Sequence, residues 1–461
     1  MNEKYAYANI SRGVEVSVMP IAGSLYLQEE VFRLVPKKRK LKSKHDIFLP
    51  FELPMKSYDW IVVGGGITGA ALSYELAKKG FAVLLLERDA TMQNATRFSY
   101  GGLAYWSGTT DLTRQLCREG IERHRHLSAQ LDADTEFREL DLLLTIDAGN
   151  DAEKVAANYA HFAIVPQLLS VAEAGELEPL LNKSAIAGAL TVRHGHISPT
   201  ATNKAYCQGF LRLGGTIEFA EVIGLIEEGN RISGVQTLQE SYTCENTVIC
   251  AGGWSRSLLK LAGVSVGVYF TRTEILETAP VDLKLRTLVM PAVLKRFELE
   301  AKSSKNEVDF LWDEPGKELQ PAILDSGAIG FNDGSLRIGQ LSRTLSDLNA
   351  KVDRETSETA IRAGIGKVLP DLAGLPATWH ECSVAFSADN LPVVGPIADR
   401  PGLHVFSGLS NPLTIVPALA ERFAKAAGGE EDRAIELLSP HRFIAEGSSA
   451  TDSVTDVTDV R

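Results

Sequence analysis

Three glycines near the start of an apolar segment have the spacing of a phosphate-binding loop. In Gly64-x-Gly66-x-x-Gly69, the first glycine permits a tight turn, the second lets backbone amides approach a pyrophosphate, and the third allows a helix to pack closely on a strand. Glu87 follows 18 residues after Gly69, where a carboxylate can accept hydrogen bonds from ribose hydroxyls. The pattern predicts binding of FAD or NAD rather than NADP. The alternative is a glycine-rich turn without a ligand.

The residues around these glycines predict a strand–helix–strand unit that positions them. Residues 60–63 form an apolar first strand, a helical pattern follows and ends near Gly80, and residues 82–86 form a second apolar strand. The phosphate loop then lies at the N-terminus of the helix, which attracts anions. Glu87 lies at the end of the second strand.

Three later segments favour FAD over NAD. Residues 95–108, ATRFSYGGLAYWSG, are small and glycine-rich enough for a loop that runs close to a cofactor. Residues 214–255 read as short strands and turns that end in Ala251-Gly252-Gly253-Trp254, a second close backbone approach. Residues 389–429 read as a turn, a strand at 404–406, and a helix whose N-terminus could offset negative charge on a cofactor ring.

On these motifs the chain resembles the D-amino-acid oxidase superfamily of FAD-dependent oxidoreductases, which includes glycine oxidase and monomeric sarcosine oxidase. The likeness runs from about residue 58 to 443. It implies an α/β fold in which a Rossmann-like FAD-binding domain is interleaved with an α+β substrate domain that holds a large antiparallel sheet. The implied FAD-binding domain comprises 58–110, 195–265 and 380–440, and the substrate domain comprises 111–194 and 266–379.

The resemblance also implies which residues contact FAD. The loop at 408–414 departs from the family pattern, because it is one residue short and contains Pro412, which has no backbone N–H. The implied contacts are Gly64, Gly66, Ile67, Thr68, Gly69, Glu87, Arg88, Ser99, Gly101, Gly102, Val222, Ala251, Gly252, Trp254, Cys382, Gly408, Leu413 and Thr414.

Members of this superfamily remove a hydride from a carbon that bears an amine, and deliver it to flavin. The resemblance therefore implies oxidation of an amine or amino acid, including N-substituted ones, with oxygen or a quinone as electron acceptor. A substrate carboxylate calls for an arginine. Glycine oxidase-like members place it where this chain has Val384. Sarcosine oxidase-like members use an arginine shortly before an EG pair, and Arg114 precedes such a pair at 119–120. Arg337, in the strand-like segment SLRIGQLSR, is another candidate, and a solvated surface arginine is the alternative for either. His380 is a weaker catalytic candidate, because a lone histidine more commonly has a structural role. The same holds for His194 and His196.

Cys382 precedes Asp389 by seven residues. Sarcosine oxidase-like members tether the flavin 8α-methyl group to a cysteine at this spacing, whereas glycine oxidase-like members bind FAD without a covalent bond. A tether needs a thiolate, and therefore a lowered thiol pKa. A buried, inert cysteine beside the flavin is the alternative.

Length and composition fit a two-domain enzyme of 461 residues with a net charge of −12. The negative charge disfavours non-specific nucleic-acid binding, and no apolar run has the length of a transmembrane helix. Five cysteines without metal-type pairing predict reduced thiols in the cytoplasm and no metal site.

Both ends of the chain are expected to be peripheral. Residues 1–57 are predicted to be a disordered extension, with the native start at Met55, and 444–461 a disordered tail. The basic run at 36–44 resembles a nuclear localisation signal but reads more simply as a solvated linker.

Two rival functions stay open at this point. One is a 2-hydroxy-acid dehydrogenase of the same fold that passes electrons to a quinone. The other is a non-catalytic flavin-binding protein that serves as an interaction module.

Overall fold

The computed structural model describes residues 57–443 except 294 and 410. The predicted extension, apart from Ser57, and the predicted tail lie outside the described residues. The strands are β1 (Tyr58–Val63), β2 (Val83–Glu87), β3 (Gly102–Leu103), β4 (Arg138–Asp147), β5 (Gln167–Leu169), β6 (Ile186–His196), β7 (Thr216–Phe219), β8 (Val222–Glu228), β9 (Arg231–Thr237), β10 (Ser241–Ile249), β11 (Val268–Thr278), β12 (Leu288–Pro291), β13 (Glu318–Gly330), β14 (Leu336–Leu345), β15 (Ala377–Ser387), β16 (Val393–Pro396) and β17 (Leu403–Ser407).

Eleven α-helices connect these strands within the described residues. They are α1 (Ile67–Lys78), α2 (Ala95–Phe98), α3 (Asp111–Gln130), α4 (Ala152–Ala157), α5 (Val171–Leu177), α6 (Pro199–Arg212), α7 (Ser255–Leu261), α8 (Lys295–Ser303), α9 (Arg354–Val368), α10 (Pro412–Ala427) and α11 (Arg433–Leu437). No helix among the described residues combines the length and the apolar character that a bilayer span requires.

The first sheet has a parallel centre in the order β16-β17-β10-β1-β2-β7, with the β8–β9 hairpin added at β10. β10, β1 and β2 pair in parallel, as do β10 with β17 and β2 with β7. Helices cover parallel sheets on both faces, so their strands read as continuous apolar runs. This explains why VLLL in β2 is buried throughout, and it confirms the predicted strand–helix–strand unit.

Helix α1 begins directly after the phosphate loop because Gly66 has an extended backbone and serves as its N-cap. Small and apolar residues on α1, including Ala70, Leu72 and Leu76, are fully buried. They belong to a core that also contains Val416 of α10 and Tyr206 of α6. Close packing on both sides holds the N-terminus of α1 in place.

The second sheet has nine strands in the order β15-β11-β14-β13-β12-β4-β6-β3, with β5 paired to β6. Its pairs are antiparallel except β4 with β12, which is parallel. The predicted fold class is confirmed, with this one parallel pair as a departure from a purely antiparallel sheet.

Two of the predicted domain boundaries fall inside strands of the second sheet. The boundary at 380 lies within β15, and the boundary at 194–195 lies near the end of β6. β3, at 102–103, also pairs with β6 rather than with the first sheet. Sheet membership therefore suggests slightly different limits, and the division into two domains stays a prediction.

Candidate active site

The phosphate loop is shaped by glycines that have no room for a side chain. Gly64 has a φ of +108°, and a Cβ there would lie 2.7 Å from the carbonyl oxygen of Cys250. A Cβ at Gly69 would overlap the carbonyl oxygen of Gly64. The loop thus packs against the turn that follows β10, and Ala251 lies beside Gly64 as a consequence.

Glu87 lies beside this loop at the end of β2. Its Oε2 accepts a hydrogen bond from the N–H of Gly65 at 2.6 Å, and its Oε1 accepts one from the N–H of Asp89 at 3.0 Å. A carboxylate has about four lone-pair positions, so Glu87 keeps acceptor capacity for ribose hydroxyls. The guanidinium of Arg88 lies over the ring of Trp254 at 5.1 Å.

The β7–β8 connection approaches the same end of β2. The N–H of Ala220 donates to the carbonyl of Glu87 at 2.8 Å, and Val222 begins β8 two residues later. Loop glycines, a helix N-terminus and a carboxylate with spare acceptors together fit a dinucleotide. The implied contacts Ile67 and Thr68 lie in the first turn of α1.

Three residues that support the loop were missed by the sequence reasoning. A Cβ at Gly65 would lie 3.0 Å from the Glu87 carboxylate. The hydroxyl of Thr96 accepts from the N–H of Ile67 at 3.0 Å, and the amide of Asn203 donates to the carbonyl of Gly65 at 3.2 Å. Thr96 lies within the small-residue segment at 95–108, which is predicted to approach a cofactor and is therefore a sequence signal for its role. No sequence feature around Asn203 indicates a role at the loop.

The loop after α2 meets the N-terminus of α10. Asn411, with a φ of +54°, donates from Nδ2 to the carbonyl of Ala104 at 3.1 Å, and its Oδ1 accepts from the hydroxyl of Thr414 at 2.6 Å. Pro412 occupies the first position of α10, where its missing N–H costs nothing. The hydrogen bond from Asn411 to Ala104 joins the segment after β3 to the N-terminus of α10, where the implied contacts Leu413 and Thr414 lie. The implied contacts Ser99, Gly101 and Gly102 precede Ala104 in the chain, and Gly408 precedes Asn411.

Two arginines share one carboxylate on the face of the second sheet that α2 covers. Arg97 forms a bidentate ion pair with Glu277, with both distances 2.7 Å. Nε of Arg337 lies 3.2 Å from Glu277, and another Arg337 N–H donates to the carbonyl of Ser99. Arg337 is only 5% exposed. We call Arg97, Glu277, Arg337 and His380 the Glu277 cluster.

The two arginines fix the charge state of Glu277. Burial alone would raise the pKa of the Glu277 carboxyl, but the hydrogen bonds from Arg97 and the charges of both arginines hold this pKa below its usual range. Burial lowers the pKa of the Arg337 guanidinium, which nevertheless stays charged at any physiological pH. The sequence reasoning proposed Arg337 but missed Arg97 and Glu277.

His380 and Cys382 point to the same face of β15, because they pair in register with Ile275 and Thr273 of β11. The His380 ring stacks on Phe98 at 4.5 Å, and its Nε2 lies 3.5 Å from Glu277. Burial lowers the pKa of His380 despite the attraction of Glu277, which favours a neutral imidazole. Cys382, 9% exposed, packs with Phe98 and Ile275. Burial raises the pKa of its thiol to about 12.

A second group of polar side chains lies further along the same sheet. His194 and His196 are buried on β6, and neither Nε2 has a hydrogen-bond partner among the described residues. Burial lowers the pKa of each to about 3. Arg138 donates to Nδ1 of His196 at 3.3 Å. Phe331 lies between this group and Arg337, whose guanidinium is 4.3 Å from its ring.

Arg114 lies apart from the Glu277 cluster. It occupies the first turn of α3, its side chain is 38% exposed, and it donates to the carbonyl of His161 at 2.9 Å. Its nearest carboxylate among the described residues is Asp111, at 3.8 Å. The structure therefore gives Arg114 the surroundings of a surface arginine.

Comparison with known proteins places this architecture in a family. The family model described as "FAD dependent oxidoreductase" (DAO) matches residues 59–426. The uncharacterized oxidoreductase YurR of Bacillus subtilis (strain 168) is 26% identical over 399 residues, which cover 82% of this chain and 96% of YurR. The 4-methylaminobutanoate oxidase (formaldehyde-forming) of Paenarthrobacter nicotinovorans is 29% identical over 228 residues, 48% of this chain but only 28% of the relative.

A solved structure supports the same fold. Glycine oxidase from Geobacillus kaustophilus superposes with a TM-score of 0.69 at 22% identity, covering 84% of this chain and 99% of that one. The family match spans most of the chain, so the predicted family and the FAD cofactor are confirmed. This chain belongs to the DAO family of FAD-dependent oxidoreductases.

Proposed function

We propose that this FAD-dependent oxidoreductase oxidises an amino acid, or an N-substituted amino acid, and that Arg337 binds the substrate carboxylate. The observation that carries the proposal is the charge balance of the Glu277 cluster. Two guanidinium groups contact one carboxylate, so one guanidinium charge has no carboxylate of its own at contact distance. The exposed Asp333 attracts both arginines but forms no ion pair with either among the described residues. A buried charge of this kind is stabilised by an anionic ligand.

Arg337 has free donors for this ligand. A guanidinium carries five N–H groups in a planar fork. One N–H of Arg337 is directed at Glu277 and one at the carbonyl of Ser99, so three remain (5 − 2 = 3). Glu277 and Ser99 hold the side chain in one orientation, and a preorganised fork binds a carboxylate through two parallel hydrogen bonds.

His380 is suited to handle the proton of the substrate amine. When bound, FAD supplies the electron acceptor for the amine-bearing carbon. The neutral imidazole of His380, stacked on Phe98 and oriented by Glu277, can accept a proton from a substrate ammonium group. His380 and Arg337 approach the same carboxylate, so they can engage the amine and the carboxylate of one small molecule.

The relatives support this substrate class. The name of the 4-methylaminobutanoate oxidase denotes a substrate with a methylated amine and a carboxylate, and glycine oxidase acts on the simplest amino acid. Both substrates combine an amine with an acid group. Arg337 and His380 would recognise that combination in this chain.

The experiment is anaerobic stopped-flow measurement of flavin bleaching with matched compounds. Sarcosine, glycine and 4-methylaminobutanoate represent acids, dimethylamine represents an amine without a carboxylate, and lactate represents a 2-hydroxy acid. We expect bleaching by at least one amino acid and at least about a hundredfold slower bleaching by the amine, because the anchor is worth a few kcal/mol. Bleaching by lactate alone would overturn the amine assignment, and equal rates with dimethylamine would overturn the anchor.

A further inference from the structure

A cavity of about 430 Å³ lies against the edge of the second sheet and is lined by Arg272, Lys351, Arg354, Trp379 and Glu381, together with the loop 348–352. We call it the back cavity. Its volume falls in the range of small-molecule sites, about 300 to 1,000 Å³. The loop that closes one side of it connects β14 to α9.

The back cavity opens on the opposite face of the sheet from the Glu277 cluster. Successive side chains of a strand alternate between faces. Trp379 and Glu381 therefore point away from His380 and Cys382, and in-register pairing places Glu381 beside Glu274 of β11. Trp379 confirms the direction, because its indole N–H donates to Glu274 at 3.2 Å. A ligand here would be separated from the flavin site by the thickness of the sheet.

The lining of the back cavity carries excess positive charge. Three cations, Arg272, Lys351 and Arg354, face one carboxylate, Glu381, which leaves two positive charges (3 − 1 = 2). Glu381 is already engaged by Arg272 at 2.7 Å. The nearest ion-pair partner of Arg354 among the described residues is Glu358, at 3.9 Å. Lys351 forms no ion pair with any described residue.

Arg272 gives the cavity a built cationic wall rather than a loose surface charge. It is 5% exposed, and it is held by Glu381 and by the carbonyl of Leu348. Its Nε–H has no acceptor among the described residues, and a buried donor without a partner is costly. Asp353, which caps α9 with its own side chain, does not line the cavity and leaves this excess in place.

We infer that the back cavity binds a small organic anion that carries a phosphate or carboxylate group and a flat apolar body. The cations would hold the anionic group, and the indole face of Trp379 would pack against the body. The site differs from the flavin face in its residues and in the side of the sheet on which it opens. It is independent of the proposed amine oxidation.

Isothermal titration of the FAD-loaded protein tests this inference. Phenyl phosphate and benzoate are the two anionic probes, and benzyl alcohol is the neutral probe of similar shape. We expect one or both anions to bind with a Kd below about 1 mM, and benzyl alcohol at least about tenfold more weakly. The better anion, compared in the Arg337→Ala protein so that the proposed carboxylate anchor is absent, identifies the phosphate or carboxylate class.

Variants locate the binding. Lys351→Gln and Arg354→Gln should each raise the Kd of the anion about tenfold, because each removes one charge-assisted contact. Arg433→Gln, which changes an exposed arginine on α11, should leave the Kd unchanged. Arg337→Ala should leave the Kd for phenyl phosphate unchanged, whereas for benzoate it removes the second site that the proposed carboxylate anchor provides. The inference fails if neither anion binds, if benzyl alcohol binds as tightly, or if only Arg337→Ala weakens binding.

Discussion

The phosphate loop and the Glu277 cluster are built in opposite ways. The phosphate loop uses glycines, backbone atoms and the Glu87 side chain from one continuous stretch, residues 64–87. Gly64 and Gly69 have no room for a Cβ, and this lack of room determines the shape of the loop. The Glu277 cluster uses side chains from α2, β11, β14 and β15, and Arg97 reaches Glu277 across 180 residues of sequence. A site made by local backbone geometry can be identified from spacing, whereas a site made by distant side chains exists only once the sheet has aligned its strands.

The largest effect is expected from placing a side chain in the phosphate loop. A Cβ at Gly66 would already lie 3.3 Å from the Thr96 hydroxyl, and the branched side chain of Gly66→Val would project into the space for pyrophosphate. We expect FAD content to fall from one per chain to about a tenth or less, measured by flavin absorbance. Gly224→Val is the control, because a Cβ at Gly224 has only ordinary contacts at 3.7 Å. Full FAD content in Gly66→Val would contradict this role for the loop.

The next largest effect is expected from removing Arg337 from the Glu277 cluster. Arg337→Ala should lower kcat/KM for an amino-acid substrate about a hundredfold, because a charge-assisted, hydrogen-bonded anchor is lost. Arg337→Lys keeps the charge without the fork and should recover part of this loss. Arg114→Ala should change KM less than about twofold, since Arg114 is partly exposed and is bonded to the carbonyl of His161 rather than to the Glu277 cluster. A strong rise in KM for Arg114→Ala, with Arg337→Ala unaffected, would reverse the two assignments.

A smaller effect should appear in the pH dependence of stability. The folded pKa of His194 and of His196 is about 3, below the ordinary value of about 6.5. Their contribution is therefore fully present above pH 6.5 and is lost as pH falls, because the unfolded chain takes up the protons first. Each histidine should contribute a loss of about 1.4 kcal/mol per pH unit.

Unfolding by urea at pH 7.5 and 5.5 measures this loss. His194→Gln should reduce the difference between the two pH values by roughly 1 kcal/mol, whereas His441→Gln, at an exposed position, should not change it. Greater stability of the parent protein at pH 5.5 than at pH 7.5 would contradict the sign.

The smallest effect is expected at Cys382. With a thiol pKa near 12, almost no thiolate exists at neutral pH to attack the flavin, which disfavours the covalent tether. Acid precipitation should release all FAD into the supernatant, and Cys382→Ser should change kcat less than about threefold. Yellow colour that stays in the pellet, and that disappears in Cys382→Ser, would establish the tether.

Local sequence predicts the backbone of the phosphate loop nearly completely, but it predicts the Glu277 cluster only in part. The β1–α1–β2 unit, the turn at Ala251 and the start of α10 follow from apolar runs and glycines, because local spacing determines them. Arg337 was a candidate because of its strand-like surroundings, but Glu277 gave no signal, since nothing near it in sequence indicates two arginine partners. Arg97 lies in the segment that is predicted to approach the cofactor, and a charged residue at that place is a local signal for the cluster.

The alternation along β15 makes that strand intolerant of changes in length. His380 and Cys382 point to the face that carries the Glu277 cluster, while Trp379 and Glu381 point toward the back cavity. A deletion of one residue at the centre of β15 would exchange these sets, so that an indole and a carboxylate would point to the face of the Glu277 cluster. A library that samples insertions should therefore leave the length of β15 unchanged, because a shift of one residue there alters both faces of the sheet at once.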